Sequence, residues 1–224
     1  MASRRLILGI FIAMSWMAFC GLSAFAQENL VDVQYRRKAE MLYPLAALIQ
    51  SEKGFADGGE TLVIGVLGKD PFQGVNPAGQ PENHLDAMVA ESNARTGAKR
   101  RKHINVKRFV SASDYTPCHI LLVSAQAATS SKEMTLPQRL TAALEKTKDS
   151  PVLICTDTEG YAQKGAMLNF YLGKDSANVA KVMFEFNPDA AKRAGFTKID
   201  AGIYRLGTII RDSENAERSG PETK

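Results

Sequence analysis

The chain is poor in the residues that build stapled or metal-centred proteins. Its 224 residues hold three cysteines, none in a CxxC spacing. That excludes a disulfide-dense mini-protein and the usual zinc and thiol-redox motifs. His84, His103 and His119 are the only histidines, and no HxH or HxxxH pair is present to seed a metal site. No GxGxxG occurs; Gly65 and Gly68 are read as residues for close packing and a turn rather than a phosphate cradle. Excess charge is also scarce. The 28 Lys and Arg against 24 Asp and Glu leave a net charge of +4, with no long basic run, so no electrostatic case exists for nucleic acid as a partner. Nothing in these patterns calls for a cofactor. With 23% charged and 8% aromatic residues, the composition is that of a folded chain rather than a disordered one.

Hydrophobic residues are plentiful but unevenly spread. Arg4 and Arg5 precede an uncharged stretch from Leu6 to Ala26, almost wholly apolar to Phe19, that closes on Ala24-Phe25-Ala26. A positive start, an apolar centre and small residues at −3 and −1 predict a secretory signal peptide over 1–26, cleaved after Ala26. Two alternatives stand beside it. Some 20 apolar residues could remain as an uncleaved anchor, and Cys20 could carry lipid, although Phe19 is bulkier than lipid-modification sites accept. Cleavage leaves 198 residues with 26 basic and 24 acidic side chains, no tryptophan, and Cys118 and Cys155 as the remaining cysteines.

The remainder alternates between helical and strand patterns. Tyr35 to Ile49 shows helical spacing, with Pro44 as a warning of a kink. Thr61–Leu67, Cys118–Ser124 and Pro151–Thr156 are short apolar runs that predict buried strands, and His103–Phe109 alternates as a more exposed one. Residues 71–81, rich in Pro and Gly, read as a loop. Helical patterns cover Asn83–Ala94 and Glu133–Lys146. Ala166–Leu172 and Asn178–Phe186 flank Gly173-Lys174-Asp175 as an antiparallel hairpin. A short helix over Pro188–Gly195 and a last one over Asp200–Arg211 follow. Strand–helix–strand order predicts a single three-layer, Rossmann-like α/β domain over residues 27–212. Its sheet is mostly parallel, with a C-terminal antiparallel hairpin. Residues 213–224 are expected to form a polar disordered tail.

In such a sheet, ligands sit beyond the carboxyl ends of the strands. The candidate ligand edge is therefore Lys69, Asp70, Ser124 and Asp157. Asp157 has the chemistry of a general base. No partner nucleophile or acid stands at a readable spacing, however, so Asp70 and Asp157 are read as turn and helix-start residues. His119, opening a buried strand, is read as a hydrogen-bonded core or edge histidine. Cys118 begins its strand and Cys155 lies near the end of the next. Parallel neighbours would separate them by about four residues, or roughly 13 Å, beyond the roughly 7 Å that a disulfide allows. Two free, buried thiols are expected. Arg95, Lys99, Arg100 and Arg101 form a basic segment, read either as a solvated loop or as a surface for an acidic partner or anionic headgroups.

Gly165-Ala166-Met167-Leu168-Asn169-Phe170, Phe184-Glu185-Phe186-Asn187 and Ala190-Ala191-Lys192-Arg193-Ala194-Gly195 together resemble the C-terminal signature of the YfiR/HmsC-like family. Its candidate signature residues here are Gly165, Met167, Asn169, Phe170, Phe184, Asn187 and Gly195. Lys38-Ala39 with Leu42-Tyr43, the run Gly65 to Phe72, Cys118 to Leu121, Pro151 to Leu153 and Asp157 to Tyr161 match in the same order. The chain departs from the family where a Trp-Pro pair usually follows the first helix, since Gln50-Ser51-Glu52-Lys53 stands here. It departs again at the start of the last helix, where Ile199 to Tyr204 replaces two Ser and two Leu. The resemblance implies a periplasmic regulatory protein, not an enzyme. It would bind and repress the sensor domain of an inner-membrane signalling protein, a diguanylate cyclase above all, and so govern cyclic di-GMP and biofilm. A sensor kinase is the other partner it implies, and a homodimer is a family-level expectation. A periplasmic small-molecule sensor or solute-binding module is the alternative.

Overall fold

A computed structural model describes residues 31–51, 61–95, 103–126 and 134–212. The expected signal peptide (1–26) and polar tail (213–224) lie outside the described residues, as do Lys99, Arg100 and Arg101.

Residues 31–47 are helical (α1), and the helix continues through Pro44, which faces solvent. Its apolar stripe is Tyr35, Ala39, Leu42, Leu45 and Ala46, all buried, at the spacing of one helical face. Ile49–Ser51 (β1) leaves the helix as a short strand rather than a continuation of it. Thr61–Leu67 (β2) is a buried strand. Gln73–Val75 (β3) and Pro81–Asn83 (β4) pair antiparallel where residues 71–81 are expected to be a plain loop, and β4 runs on to Asn83, the expected first residue of the next helix. Asn76 closes that hairpin, its side-chain oxygen accepting from the Ala78 and Gln80 amides at 3.0 and 2.9 Å.

His84–Ala94 (α2) starts under an Asn83 cap, whose side chain accepts from the Leu85 and Asp86 amides, serving donors that a helix start leaves open. His103–Phe109 (β5), Ile120–Val123 (β6), Leu136–Thr147 (α3) and Leu153–Thr156 (β7) follow. Leu168–Lys174 (β8) and Ala180–Phe186 (β9) form the expected hairpin, with Phe170 opposite Phe184 and Leu172 opposite Val182. Pro188–Arg193 (α4) is capped by Asn187 and stops before Gly195, whose φ of 86° suits a residue without Cβ.

The last helix differs from expectation. Phe196–Ile199 (β10) precedes it, and in place of a helix over Asp200–Arg211 the chain forms a single turn at Ile203–Leu206 (α5) and Thr208–Ile209 (β11). Two local causes are visible. Asp200 accepts from the Gly202 amide at 2.6 Å and makes a turn instead of a long helix. Gly207 lies against the Phe184 ring so closely that a Cβ there would coincide with ring carbons.

The main sheet runs β11-β9-β8-β7-β6-β2-β5. Its neighbours from β5 to β8 are all parallel; β9 runs antiparallel to β8, and β11 lies parallel to β9 at the edge. The crossover through α2 leads from β2 to one side, and the crossover through α3 leads from β6 to the other. Right-handed connections then put the two helices on opposite faces, giving three layers. The central strands β6 and β7 are buried at every residue, as a sheet covered on both sides requires. A Cβ on Gly65 would come within 2.9 Å of Leu121 and Phe109 and 3.1 Å of Cys118 Sγ, so glycine there permits close packing. The β5 edge is guarded by Asn93, whose side chain both donates to the Ile104 carbonyl and accepts from the Ile104 amide. That is a one-residue imitation of a neighbouring strand.

Candidate functional site

The connections from the sheet change direction between β2 and β6, where open α/β sheets ordinarily take ligands. In this protein, side chains of the chain itself occupy that edge. Asp70 follows β2. It accepts from the Phe72 amide at 2.9 Å, from Asn83 Nδ2 at 2.8 Å and from Arg108 Nε at 2.6 Å. Arg108 also donates to Asp86, so Asp70 belongs to a bridge holding α2 against β5. Ser124, at the end of β6, is fully buried, and its hydroxyl oxygen accepts from the Gln126 amide at 3.1 Å.

Over Ser124 lies Arg139 of α3, which sequence reasoning did not single out. Its guanidinium donates to the carbonyls of Ser124, Gln126 and Met134. Its Nε sits 3.1 Å from where a Gly68 Cβ would be. Gly68 has φ of 97° and turns the chain away beneath the arginine. Lys69, next in line, is exposed.

Asp157, after β7, is buried under α1. Tyr35 donates its hydroxyl to Oδ2 at 3.1 Å, and the Ala125 amide donates to Oδ1 at 2.7 Å. Lys38 donates to the Asp157 carbonyl at 3.1 Å and stands 4.6 Å over the Tyr35 ring. Burial pushes the Asp157 carboxyl up, against the opposing pulls of Lys38, the amide and the phenol. Burial pushes Lys38 down and Tyr35 up. The four candidate edge residues are thus not gathered around a common space. Three are held by internal partners, and Lys69 stands apart.

The signature residues build structure around this edge. Thr156 donates to Asn169 Oδ1 at 2.5 Å, and Asn169 Nδ2 donates to Glu185 at 2.7 Å, all three buried. Asn187 caps α4 by accepting from the Ala190 amide and donates to the Ala162 carbonyl and to Asp212. Phe170, Phe184 and Met167 are core residues. Gly165, with φ of 101°, ends the 3-10 turn Ala162–Lys164. A run of motifs in this order, each with a structural task, is what a family fold leaves in a sequence.

A family model described as YfiR/HmsC-like matches residues 35–208. The chain belongs to the YfiR/HmsC-like family. That family is periplasmic and regulatory rather than catalytic. No curated protein matches the chain significantly. Among solved structures, a conserved domain protein from Vibrio cholerae O1 biovar El Tor is 13% identical, with a TM-score of 0.39, 76% of this chain covered and 59% of that one. The ABC domain from Streptococcus pneumonia, solved in complex with L-Trp, is 12% identical, with a TM-score of 0.41, 79% of this chain covered and 60% of that one. The chain thus spans about six-tenths of each, and likeness at that level carries no argument about function.

The remaining candidates of this YfiR/HmsC-like chain are dispersed. Arg95 is exposed at the end of α2 and pairs with Glu91, which makes it a helix-end ion pair on a solvated face. Cys118 and Cys155 are free and buried. The β6–β7 register sets Leu122 beside Cys155, so Cys118 lies four positions back along its strand. Burial pushes the Cys118 thiol up to about 11 and moves Cys155 in the same direction. His119 accepts from the Val63 amide at 2.9 Å. Among the described residues, no three metal-ligating side chains converge, and no helix is long and apolar enough to cross a membrane.

Two features escaped the sequence. His84 Nε2 and Asp32 Oδ1 meet at 2.7 Å in a nearly buried pair that ties α1 to α2. A groove of 430 Å³ opens between α1 and the β8–β9 hairpin. Helical and strand periodicity mark which face of each element is apolar, but only the packing of α1 against the hairpin shows where that apolar surface is left uncovered.

Proposed function

We propose that this protein is exported to the periplasm through cleavage after Ala26 and there binds and represses the sensor domain of an inner-membrane diguanylate cyclase. The observation that carries the reading is the family match over residues 35–208. The engagement of Asp70, Ser124 and Asp157 by Arg108, Arg139 and Tyr35 supports it, because groups spent on internal contacts are poorly placed to work on a substrate. Repression then rests on differential affinity: the bound regulator favours the inactive state of the cyclase by as much as it prefers that state. The arrangement is stoichiometric and calls for no cofactor.

Deleting the gene tests this directly. Cellular cyclic di-GMP and biofilm should rise, and a membrane pulldown with the tagged protein should recover a protein that couples a periplasmic domain to a cyclase. Unchanged nucleotide with no signalling protein recovered overturns the reading. N-terminal sequencing of the periplasmic protein should begin at Gln27.

A further inference from the structure

The groove between α1 and the hairpin is an open concavity with apolar side chains on both walls. Val33 and Met41 of α1 form one wall, and Leu172, Ala180 and Val182 of the hairpin form the other. Val33 is 51% exposed and Leu172 39%, and Val179 at the hairpin end is 58% exposed. Side chains of this kind that share one concavity mark an interaction surface more often than scattered ones do. The volume admits one or two anchoring side chains, and Met41 lends the wall an adaptable thioether.

The rim carries a sign. Glu40, the acid of the α1 wall, is matched by Arg37 at 2.7 Å. Asp175, the acid of the hairpin turn, accepts from the Ala177 and Val179 amides. Lys181 lines the opposite wall, and Lys174 is exposed across the hairpin from Ala180. The two amides leave the Asp175 charge in place, but with Arg37 and Glu40 cancelling, Lys174 and Lys181 outnumber it, so the mouth is apolar within and slightly positive at its border.

We infer that this groove receives an apolar anchor side chain flanked by an acidic residue from the folded periplasmic domain of the membrane signalling partner. This rests on the regulatory reading above and names the surface that serves it. Arg95, at the end of α2, is not needed for it.

Site-specific photocrosslinking in the native host tests the assignment, with p-benzoylphenylalanine placed at Val33, at Leu172 or, as the comparison, at Val110. Val110 is 74% exposed and follows β5 at the far edge of the sheet. The three sites are exposed, so melting should stay at the parent value. Positions 33 and 172 should crosslink to a membrane protein with a periplasmic domain, at an apolar residue within one turn or strand pair of Asp or Glu. Position 110 should not. Lys181→Glu should lower the yield at position 172 at least fivefold with an unchanged melting curve. Crosslinks to that membrane protein from position 110 alone would overturn the groove while leaving the regulatory reading intact. Crosslinks from 33 and 172 between two copies of this chain would make the groove a dimer contact and overturn the inference. Silence at every position, together with unchanged cyclic di-GMP on deletion, would overturn both.

Discussion

At the scale of single residues, the side chains with the most chemistry are those the fold has committed to itself. Asp32 is one. Burial alone would raise its carboxyl, but the His84 hydrogen bond, the Val75 amide and the charges of His84 and Arg36 outweigh that and hold it below the usual carboxylate range. A depressed carboxyl contributes stability that is present above its unfolded pKa and disappears as pH falls through the folded one. Asp32→Asn should therefore cost stability at pH 6, and the gap to the parent should narrow on acidification to pH 3, read by urea unfolding at each pH. A gap that widens instead would contradict the pairing. The thiols give a second residue-scale expectation. Cys155 has no exposed surface and Cys118 very little, and burial raises both, so few thiolates exist at neutral pH. Ellman's reagent should find almost no reactive thiol in the native protein and two per cleaved chain after denaturation without reductant. Detecting none in the denatured state would mean a bridge that the four-position offset forbids. That offset was legible in the sequence because strand spacing alone sets it. The Arg139 clamp was not, because nothing in a helical pattern announces that one buried position carries a guanidinium aimed at strand-end carbonyls.

At the scale of elements, legibility followed the strength of the hydrophobic pattern. β2 and β5 fall on the residues expected because seven-residue runs bounded by turns and charges leave little freedom. Residues 200–211 were misread as a helix because Ile203, Tyr204, Leu206, Ile209 and Ile210 keep a helical spacing. Gly202 and Gly207 break it, and the second of them is fixed by Phe184, a contact distant in sequence. The β3–β4 hairpin was hidden for the opposite reason, since its strands are short and its residues are those of loops. Yet it is tightly seated. A Cβ on Gly74 would coincide with Asp32 Oδ1 and His84 Nε2. Gly74→Ala should consequently separate the pair and lower stability by about 2–3 kcal/mol, measured by chemical denaturation. An effect smaller than about 0.5 kcal/mol would show that the hairpin moves aside at little cost.

For the molecule as a whole, the sheet divides the labour. The β5 edge is guarded by the Asn93 side chain, the carboxyl edge is filled by internal partners, and part of the exposed apolar surface, Val33, Leu172 and Val179, lies beside the β8–β9 hairpin. One pairing closes the arrangement. β1 lies against β10, with Ile49 opposite Ile199, joining the segment that follows the first helix to one near the end of the chain. A chain stopped at Gly195 loses β10, α5 and β11, leaves Ile49 and the Phe184 ring uncovered, and should show no cooperative thermal transition by circular dichroism. A parent-like melt would show that the β1–β10 pair is ornamental. The same pairing sets a timetable. Contacts between distant segments are the slow ones to form, since the entropy of closing a long loop must be met before they return anything. A nascent chain therefore cannot close the β1–β10 pair until residues 196–199 have left the ribosome, and until then the segment after the first helix waits without its partner strand.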